Sequence, residues 1–259
     1  MDERALAEAA RRLRRARAVV VFTGAGMSRD SGIPTFRDAE GLWARFRPEE
    51  WATEAAFRRD PERVWAWYAE RHRRLREAAP HPGYEALVEL EARVPALTIV
   101  TQNVDGLHRR AGSREVIELH GSLERARCSA PACGYEMPFP ADAPTPPPCP
   151  RCGARLRPAV VWFGETLPPE AVERAWARTR ACDVLLAVGT SGTVWPAAEL
   201  PWLARRHGAT VIEINPEPTE LTSAAHLVLR APAAAGLPAL VRQAWDRAPA
   251  EPGSSNSEP

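Results

Sequence analysis

A chain of 259 residues, 45% hydrophobic and 26% charged, can bury a substantial core as one large domain or as a large domain carrying a small insert. Its formal net charge of +1 provides no global field for nucleic acid or an anionic membrane, so any recognition of charge is local. All 34 basic residues are Arg, a compositional bias from which no function follows.

The opening segment, MDERALAEAARRLRRARA, sets Leu6, Ala9, Ala10 and Leu13 on one face among charges, which predicts an amphipathic helix and not an apolar secretory segment. Residues 19–22 then read as a buried strand that empties into a turn holding Gly24 and Gly26. In such a turn the backbone can approach a ligand, and the following N–H groups suit a pyrophosphate. The turn departs from the fingerprint of hydride-transfer enzymes. Position 29 is Arg where a third glycine belongs, and no acid stands at a strand end about 20 residues on. Residues 44–80, rich in Trp and Arg, read as helices.

Residues 96–100, 184–188 and 211–214 repeat the apolar strand pattern, each run ending in polar or turn-forming residues. Alternation with helical segments predicts an α/β fold around a parallel sheet, whose ligand crevice lies at the carboxyl ends of the strands. Between them, residues 126–157 hold a cysteine group and the loop PADAPTPPPCP, which is too rich in proline for regular structure. The longest charge-free run, residues 184–198, contains Gly and Pro and falls short of the ~20 apolar residues that span a bilayer. The final stretch, RAPAEPGSSNSEP, is polar and predicted to be disordered.

Four of the five cysteines form the pattern C-x4-C, fifteen intervening residues, then C-x2-C: Cys128, Cys133, Cys149 and Cys152. With no secretory or membrane segment visible the protein is expected in the cytoplasm, a reducing compartment that favours metal over disulfides, and two such knuckles supply four thiolates at the spacing of a closed, structural zinc site. Cys182, before an apolar strand, reads as a buried small hydrophobe. Asn103 and Asp105 follow one strand in TQNVDGLH, and His120 follows another segment in VIELHGSLE. Converging with Arg37 on the crevice above the glycine turn, they would place an amide, an acid, a base and a cation around one dinucleotide. His120 is the natural general base at neutral pH.

GAGMS, GIPTFR, TQNVDGLH, ELHGS, the four cysteines, VVWFGE, GTSGTVWPAAELP and INPE occur in that order. Together they resemble the sirtuin family of NAD-dependent protein-lysine deacylases, over about residues 18–240. The resemblance implies a Rossmann-like dinucleotide-binding domain (residues 1–43, 81–127 and 153–246) and a small lobe, helical over 44–80 and a zinc ribbon over 128–152, with a tail at 247–259. It implies that Gly24, Ala25, Gly26 and Ser28 wrap the NAD phosphates, with Phe36 and Arg37 on a loop over the cofactor. Gln102, Asn103 and Asp105 would line the ribose and nicotinamide pocket, and Gly189, Thr190, Ser191, Asn215 and Glu217 would contact adenosine, with a last contact near Ala233. Residues 161–163, Val161 and Phe163 among them, would pair with the substrate peptide by backbone hydrogen bonds.

By the same likeness, NAD is consumed and not reduced. The acyl oxygen attacks the nicotinamide ribose, nicotinamide leaves, and His120 as catalytic base, with Asn103 beside it, helps deliver lysine and O-acyl-ADP-ribose. Tyr68 and Arg71 lie at i, i+3 in RVWAWYAERHRRL and share one helix face. They resemble the Tyr-x-x-Arg of class III sirtuins, which implies succinyl or malonyl as well as acetyl cargo, with Ala52 widening the pocket. An arginine fork binds a carboxylate with two parallel bonds. Two rival readings stay open at this stage, a hydride-transferring NAD oxidoreductase and a non-catalytic NAD-sensing regulator that uses the zinc ribbon. The partners expected are acyl-lysine proteins or peptides, with no membrane and no direct nucleic-acid contact.

Overall fold

The computed structural model describes residues 1–34 and 47–246. Helix α1 (Glu3–Arg15) starts where the Asp2 carboxylate accepts the amides of Arg4 and Ala5, and it ends on arginines that suit the carbonyl end of its dipole. It leads into β1 (Ala18–Thr23), a β-branched run buried along nearly its whole length. Past β1 the chain winds through two 3-10 turns, Ala25–Met27 and Arg29–Ser31, and forms no α-helix there.

Three helices follow the undescribed stretch: α2 (Pro48–Trp51), α3 (Glu54–Arg59) and α4 (Pro61–Glu77). Asp60 begins α4 by accepting the Arg63 amide, and Pro61 supplies a first-turn φ suited to the helix. Helix α5 (Pro82–Arg93), β2 (Ala96–Thr101), α6 (Leu107–Ala111) and β3 (Val116–Glu118) return the chain to the sheet. Strands β4 (Gly121–Cys128), β5 (Glu136–Pro138) and β6 (Leu156–Val160) then leave it. Helix α7 (Pro169–Arg180), β7 (Val184–Val188), α8 (Leu200–Arg206), β8 (Thr210–Ile214), β9 (Leu227–Leu229) and α9 (Ala233–Trp245) complete the order.

Six strands run parallel in the order β3-β2-β1-β7-β8-β9. The chain builds outward from β1 through β2 and β3, then restarts on the other side with β7. The order therefore reverses between β1 and β7, which puts a crevice above their carboxyl ends. The expected α/β architecture is present, and residues 19–22, 96–100, 184–188 and 211–214 all lie within strands of this sheet. The two edge strands, three residues each, carry too short an apolar run to stand out by pattern alone.

Pleating divides the strand side chains between two cores. Val19, Val21, Ile99, Leu186 and Ile212 pack with Leu13 of α1, Leu87 and Leu90 of α5, and Leu237 and Leu240 of α9. Val20, Phe22, Val100, Leu185 and Val211 pack with Ala175 of α7 and with Leu200 and Leu203 of α8. A third core joins Phe57, Val64 and Trp65 to Leu123, Phe139, Leu156 and Trp162, beneath an antiparallel sheet of order β5-β4-β6. Cysteine spacing marks 128–152 as the ribbon. The β4–β6 ladder, pairing Gly121 with Val160 and Cys128 with Leu156, carries the second sheet out to 121 and 160. Among the described residues no helix is long and apolar enough to cross a membrane.

The loops after β1 and β7 meet backbone to backbone. A Cβ on Gly24 would lie 2.8 Å from Thr190 Cβ, and one on Gly26 would lie 2.8 Å from Gly189 Cα. Gly189 has φ +57°, and its Cβ would collide with the Met27 backbone nitrogen. Gly189→Ala combines left-handed strain with that collision. It is expected to cost at least ~2 kcal/mol of stability in urea unfolding, and an unchanged midpoint would contradict this contact.

Candidate active site

The glycine turn after β1 is closed on itself and on the end of β7. Gly24 N–H donates to Val188 O, Gly26 N–H to Gly189 O, Met27 N–H to Gly24 O and Ser28 N–H to Ala25 O. This corrects the expectation that the amides of the turn as a group would cradle a pyrophosphate. The 3-10 winding takes the Met27 and Ser28 amides, the end of β7 takes those of Gly24 and Gly26, and Ala25 supplies the remaining loop amide. Gly24 and Gly26 are needed first for the approach to Gly189.

Ser28 is 1% exposed and its hydroxyl is fully used. It donates to Asp105 Oδ2 at 2.6 Å, accepts from Asn103 Nδ2 at 2.9 Å and faces Tyr84 Oη at 2.9 Å. One proton and two lone pairs meet three partners, so this side chain braces the pocket wall. Asn103 also donates to Gly24 O at 2.9 Å, which ties the end of β2 to the glycine turn. Asp105 accepts the Leu107 amide through Oδ1 at 2.9 Å at the start of α6. It is thus both the helix-start acceptor and a member of the buried network. Burial pushes its carboxyl above the usual carboxylate range, against the pull of the Ser28 hydrogen bond.

Gln102 sits one residue before this network. Its Nε2 donates to Thr190 Oγ1 at 2.9 Å, bridging the ends of β2 and β7 across β1. Its carbonyl lies 2.8 Å from His120 Nδ1. A carbonyl only accepts, so Nδ1 carries the proton and, in the neutral ring, Nε2 keeps its lone pair. Burial lowers the His120 pKa below its ordinary value of 6.5, so the ring is neutral at pH 7. The His120 carbonyl accepts the Val161 amide at 2.9 Å, which joins the base to the segment after β6.

In that segment every amide is engaged. Val161 N–H donates to His120 O, Trp162 N–H to Glu165 Oε2 and Phe163 N–H to Ala52 O. A peptide pairing here would donate its own N–H groups to the segment's carbonyls. Ala52 and Tyr68 are buried, Arg71 is half-buried, and Phe163 is exposed. Arg71 Cζ lies 4.6 Å from the Trp67 ring centre and 5.5 Å from that of Tyr68, so cation–π contacts keep the Tyr68–Arg71 pair together on α4.

On the β7–β8 side, Thr190 O accepts Asn215 Nδ2 at 3.1 Å, and Ser191 Oγ is 2.8 Å from Thr193 Oγ1. Glu217 is exposed, and its carbonyl accepts from Arg230 at 2.9 Å. Ala233 is buried at the start of α9, against Gly83 of α5. Phe36 and Arg37 lie outside the described residues, as do residues 247–259.

Two supports have no role assigned from the sequence. Tyr84 on α5 lies outside every motif and His108 on α6 closes TQNVDGLH; Tyr84 bonds Ser28, and His108 Nε2 lies 3.0 Å from Thr23 Oγ1. Burial holds His108 neutral, with a pKa of about 3. Glu213 did carry a signal, as an acid in the apolar strand VIEIN. It is 1% exposed and accepts from Thr219 at 2.5 Å, Thr222 at 2.8 Å and Arg230 at 3.2 Å, shaping the loop that holds Asn215 and Glu217. Cys182 lies in the second core, and burial pushes its thiol up to about 12, as expected of a structural residue.

The Sγ atoms of Cys128, Cys133, Cys149 and Cys152 all lie within 4.8 Å of one another. The pairs 128–152 and 133–149 are 3.5 Å and 3.7 Å apart. Zn–S bonds of about 2.3 Å in a tetrahedron put sulfurs nearly 4 Å apart, so the quartet fits one zinc with no open position.

The Sir2 family model matches residues 24–196. An NAD-dependent protein deacylase from Thermus thermophilus is 55% identical over 240 residues, 91% of this chain and 94% of the relative. One from Aquifex aeolicus is 49% identical over 224 residues, 85% and 92% of the two chains. Among solved structures, a Sir2 homologue in complex with NAD superposes with a TM-score of 0.86 at 45% identity, over 94% of each chain. Sir2Af2 bound to a myristoylated histone peptide gives 0.75 at 33% identity, over 94% of this chain and 97% of that one.

Purified protein is expected to contain about one zinc per chain by elemental analysis. Cys149→Ser should lose the metal and lower the melting temperature, since Cys149 is itself part of the third core. Full stability without zinc would contradict a structural site.

Proposed function

The chain belongs to the Sir2 family, and on that premise we propose that it removes acyl groups from protein lysines in an NAD-dependent reaction with His120 as catalytic base. The observation that carries this reading is the His120 Nδ1 to Gln102 carbonyl contact at 2.8 Å, which reserves Nε2 for a substrate proton. The hydride-transfer and non-catalytic readings give way to it.

Bound NAD would supply a ribose carbon made electrophilic by departure of nicotinamide, with free nicotinamide and O-acyl-ADP-ribose as the products. The crevice above the β1 and β7 loops suits it: the Ala25 amide would bind the phosphates, and Thr190, Ser191, Asn215 and Glu217 would hold the adenosine. Asn103 and Asp105, held by Ser28, line the buried end where nicotinamide would sit. His120 Nε2 would take a proton from the ribose hydroxyl system. The segment at residues 161–163 positions the acyl-lysine peptide through its carbonyls.

The acyl preference follows from Tyr68 and Arg71. A neutral phenol beside a guanidinium offers two unlike donors to a terminal carboxylate, which favours succinyl or malonyl over acetyl. Burial raises the Tyr68 pKa, so the phenol keeps its proton across the working range. The deacylase relatives and the Sir2 structure bound to an acylated histone peptide support acyl-lysine proteins or peptides as partners; the net charge of +1 argues against direct nucleic-acid contact, and the thiolate quartet suits a reducing cytoplasm.

Catalysis needs the free base, so activity falls as pH drops through the His120 pKa. Because burial lowers that value, the acid limb of the kcat/KM profile is expected below pH 6.5. His120→Ala should keep the fold and lose ~10²-fold or more in turnover. An acid limb above 6.5, or a near-wild-type variant, would contradict the assignment. On matched peptides kcat/KM should favour succinyl- over acetyl-lysine, and Arg71→Met should cut desuccinylation ~10- to 100-fold, the range of a charged hydrogen bond. Intact desuccinylation in that variant would remove the carboxylate clamp.

A further inference from the structure

Tyr68 does not stand alone at the acyl site. Its hydroxyl lies 3.0 Å from Trp162 Nε1. An indole nitrogen can only donate, so the phenol oxygen is the acceptor in this bond and its single proton is directed to another partner. Without that neighbour the hydroxyl could present either a lone pair or its proton to the acyl group.

The indole itself is clamped. Trp162 is 2% exposed, and the Arg157 guanidinium carbon lies 3.3 Å from its ring centre. Arg157 is in turn paired with both carboxylate oxygens of Glu165 and donates to Val160 O at 2.9 Å. Glu165 accepts the Trp162 backbone amide at 2.8 Å, and Phe57 packs 5.4 Å from the indole, centre to centre. Both the backbone and the ring of Trp162 are thereby fixed, and with them the direction of its N–H.

We propose that Trp162 is a positioning residue for acyl specificity: its indole N–H takes up an acceptor site of Tyr68, which turns the phenol proton away from the indole and favours the phenol meeting the acyl group as a hydrogen-bond donor. A terminal carboxylate accepts such a bond, whereas the methyl of an acetyl group cannot. The inference rests on the acidic-acyl reading given above and adds a residue that does not itself need to touch the carboxylate. It also gives Arg157 and Glu165 a place in selectivity, through the indole they hold.

The test is a double-mutant cycle on Trp162→Phe and Tyr68→Phe, read as the ratio of kcat/KM on succinyl-lysine to that on acetyl-lysine peptide. Trp162→Phe is expected to lower the ratio about tenfold, roughly one hydrogen bond, mainly through KM for the succinyl peptide. Tyr68→Phe should lower it at least as much, and the double variant no further than Tyr68→Phe alone. A preference for succinyl-lysine in the parent protein that Arg71→Met abolishes, together with additive effects of the two aromatic substitutions, would overturn the Trp162 assignment and leave the clamp standing. No such preference in the parent would overturn the clamp and this assignment with it. Should Trp162→Phe fail to fold, the indole N–H spectrum of 15N-labelled Tyr68→Phe decides. One of the nine tryptophan signals should shift strongly on losing its acceptor, and nine unmoved signals would overturn the proposal.

Discussion

The cleft depends on how closely the loop after β1 can approach the loop after β7. The Gly26 amide reaches the Gly189 carbonyl at 2.8 Å, and no side chain fits between them. Because the strand order reverses between β1 and β7, this contact lies at the base of the crevice where an open parallel sheet binds its ligand. Closing it winds the turn into a 3-10 helix, which buries Ser28 and turns its hydroxyl toward Asn103 and Asp105. Were the loops farther apart, those three side chains would lose their common centre.

From that centre the order spreads outward through bonds that leave few choices. Thr23, Thr101, His108 and Tyr84 complete a buried polar layer, in which the neutral His108 lies beside a threonine hydroxyl. Gln102 reaches across to Thr190 with its side chain and fixes the His120 tautomer with its carbonyl. His120 then holds Val161, and the next residue, Trp162, holds Tyr68. The base, the peptide segment and the acyl pocket are therefore links of one chain of contacts.

Much of this was legible in the sequence, for identifiable reasons. Apolar runs bounded by turn residues mark a strand wherever both faces are buried, which is why 19–22 and 184–188 stand out while the three-residue edge strands do not. The cysteines declare themselves by spacing alone. His120 and Asp105 were visible as polar residues just beyond strands. What could not be read is direction: whether a loop amide points at a ligand or back into its own turn, and whether Ser28 faces the crevice or the wall behind it. The Trp162–Tyr68 bond joins residues 94 positions apart on different elements, and no local pattern encodes it. The reach of the second sheet to 121 and 160 was hidden likewise, because a ladder between distant strands leaves no periodic mark.

NAD is expected to be consumed at this site only when an acylated lysine is present. The most direct test follows nicotinamide release and peptide deacylation together by mass spectrometry, with a succinyl-lysine peptide, NAD and the intact protein. One nicotinamide for each lysine freed is expected, with O-succinyl-ADP-ribose as co-product and no reduced cofactor. Nicotinamide release that is independent of the peptide, or formation of reduced cofactor, would contradict it.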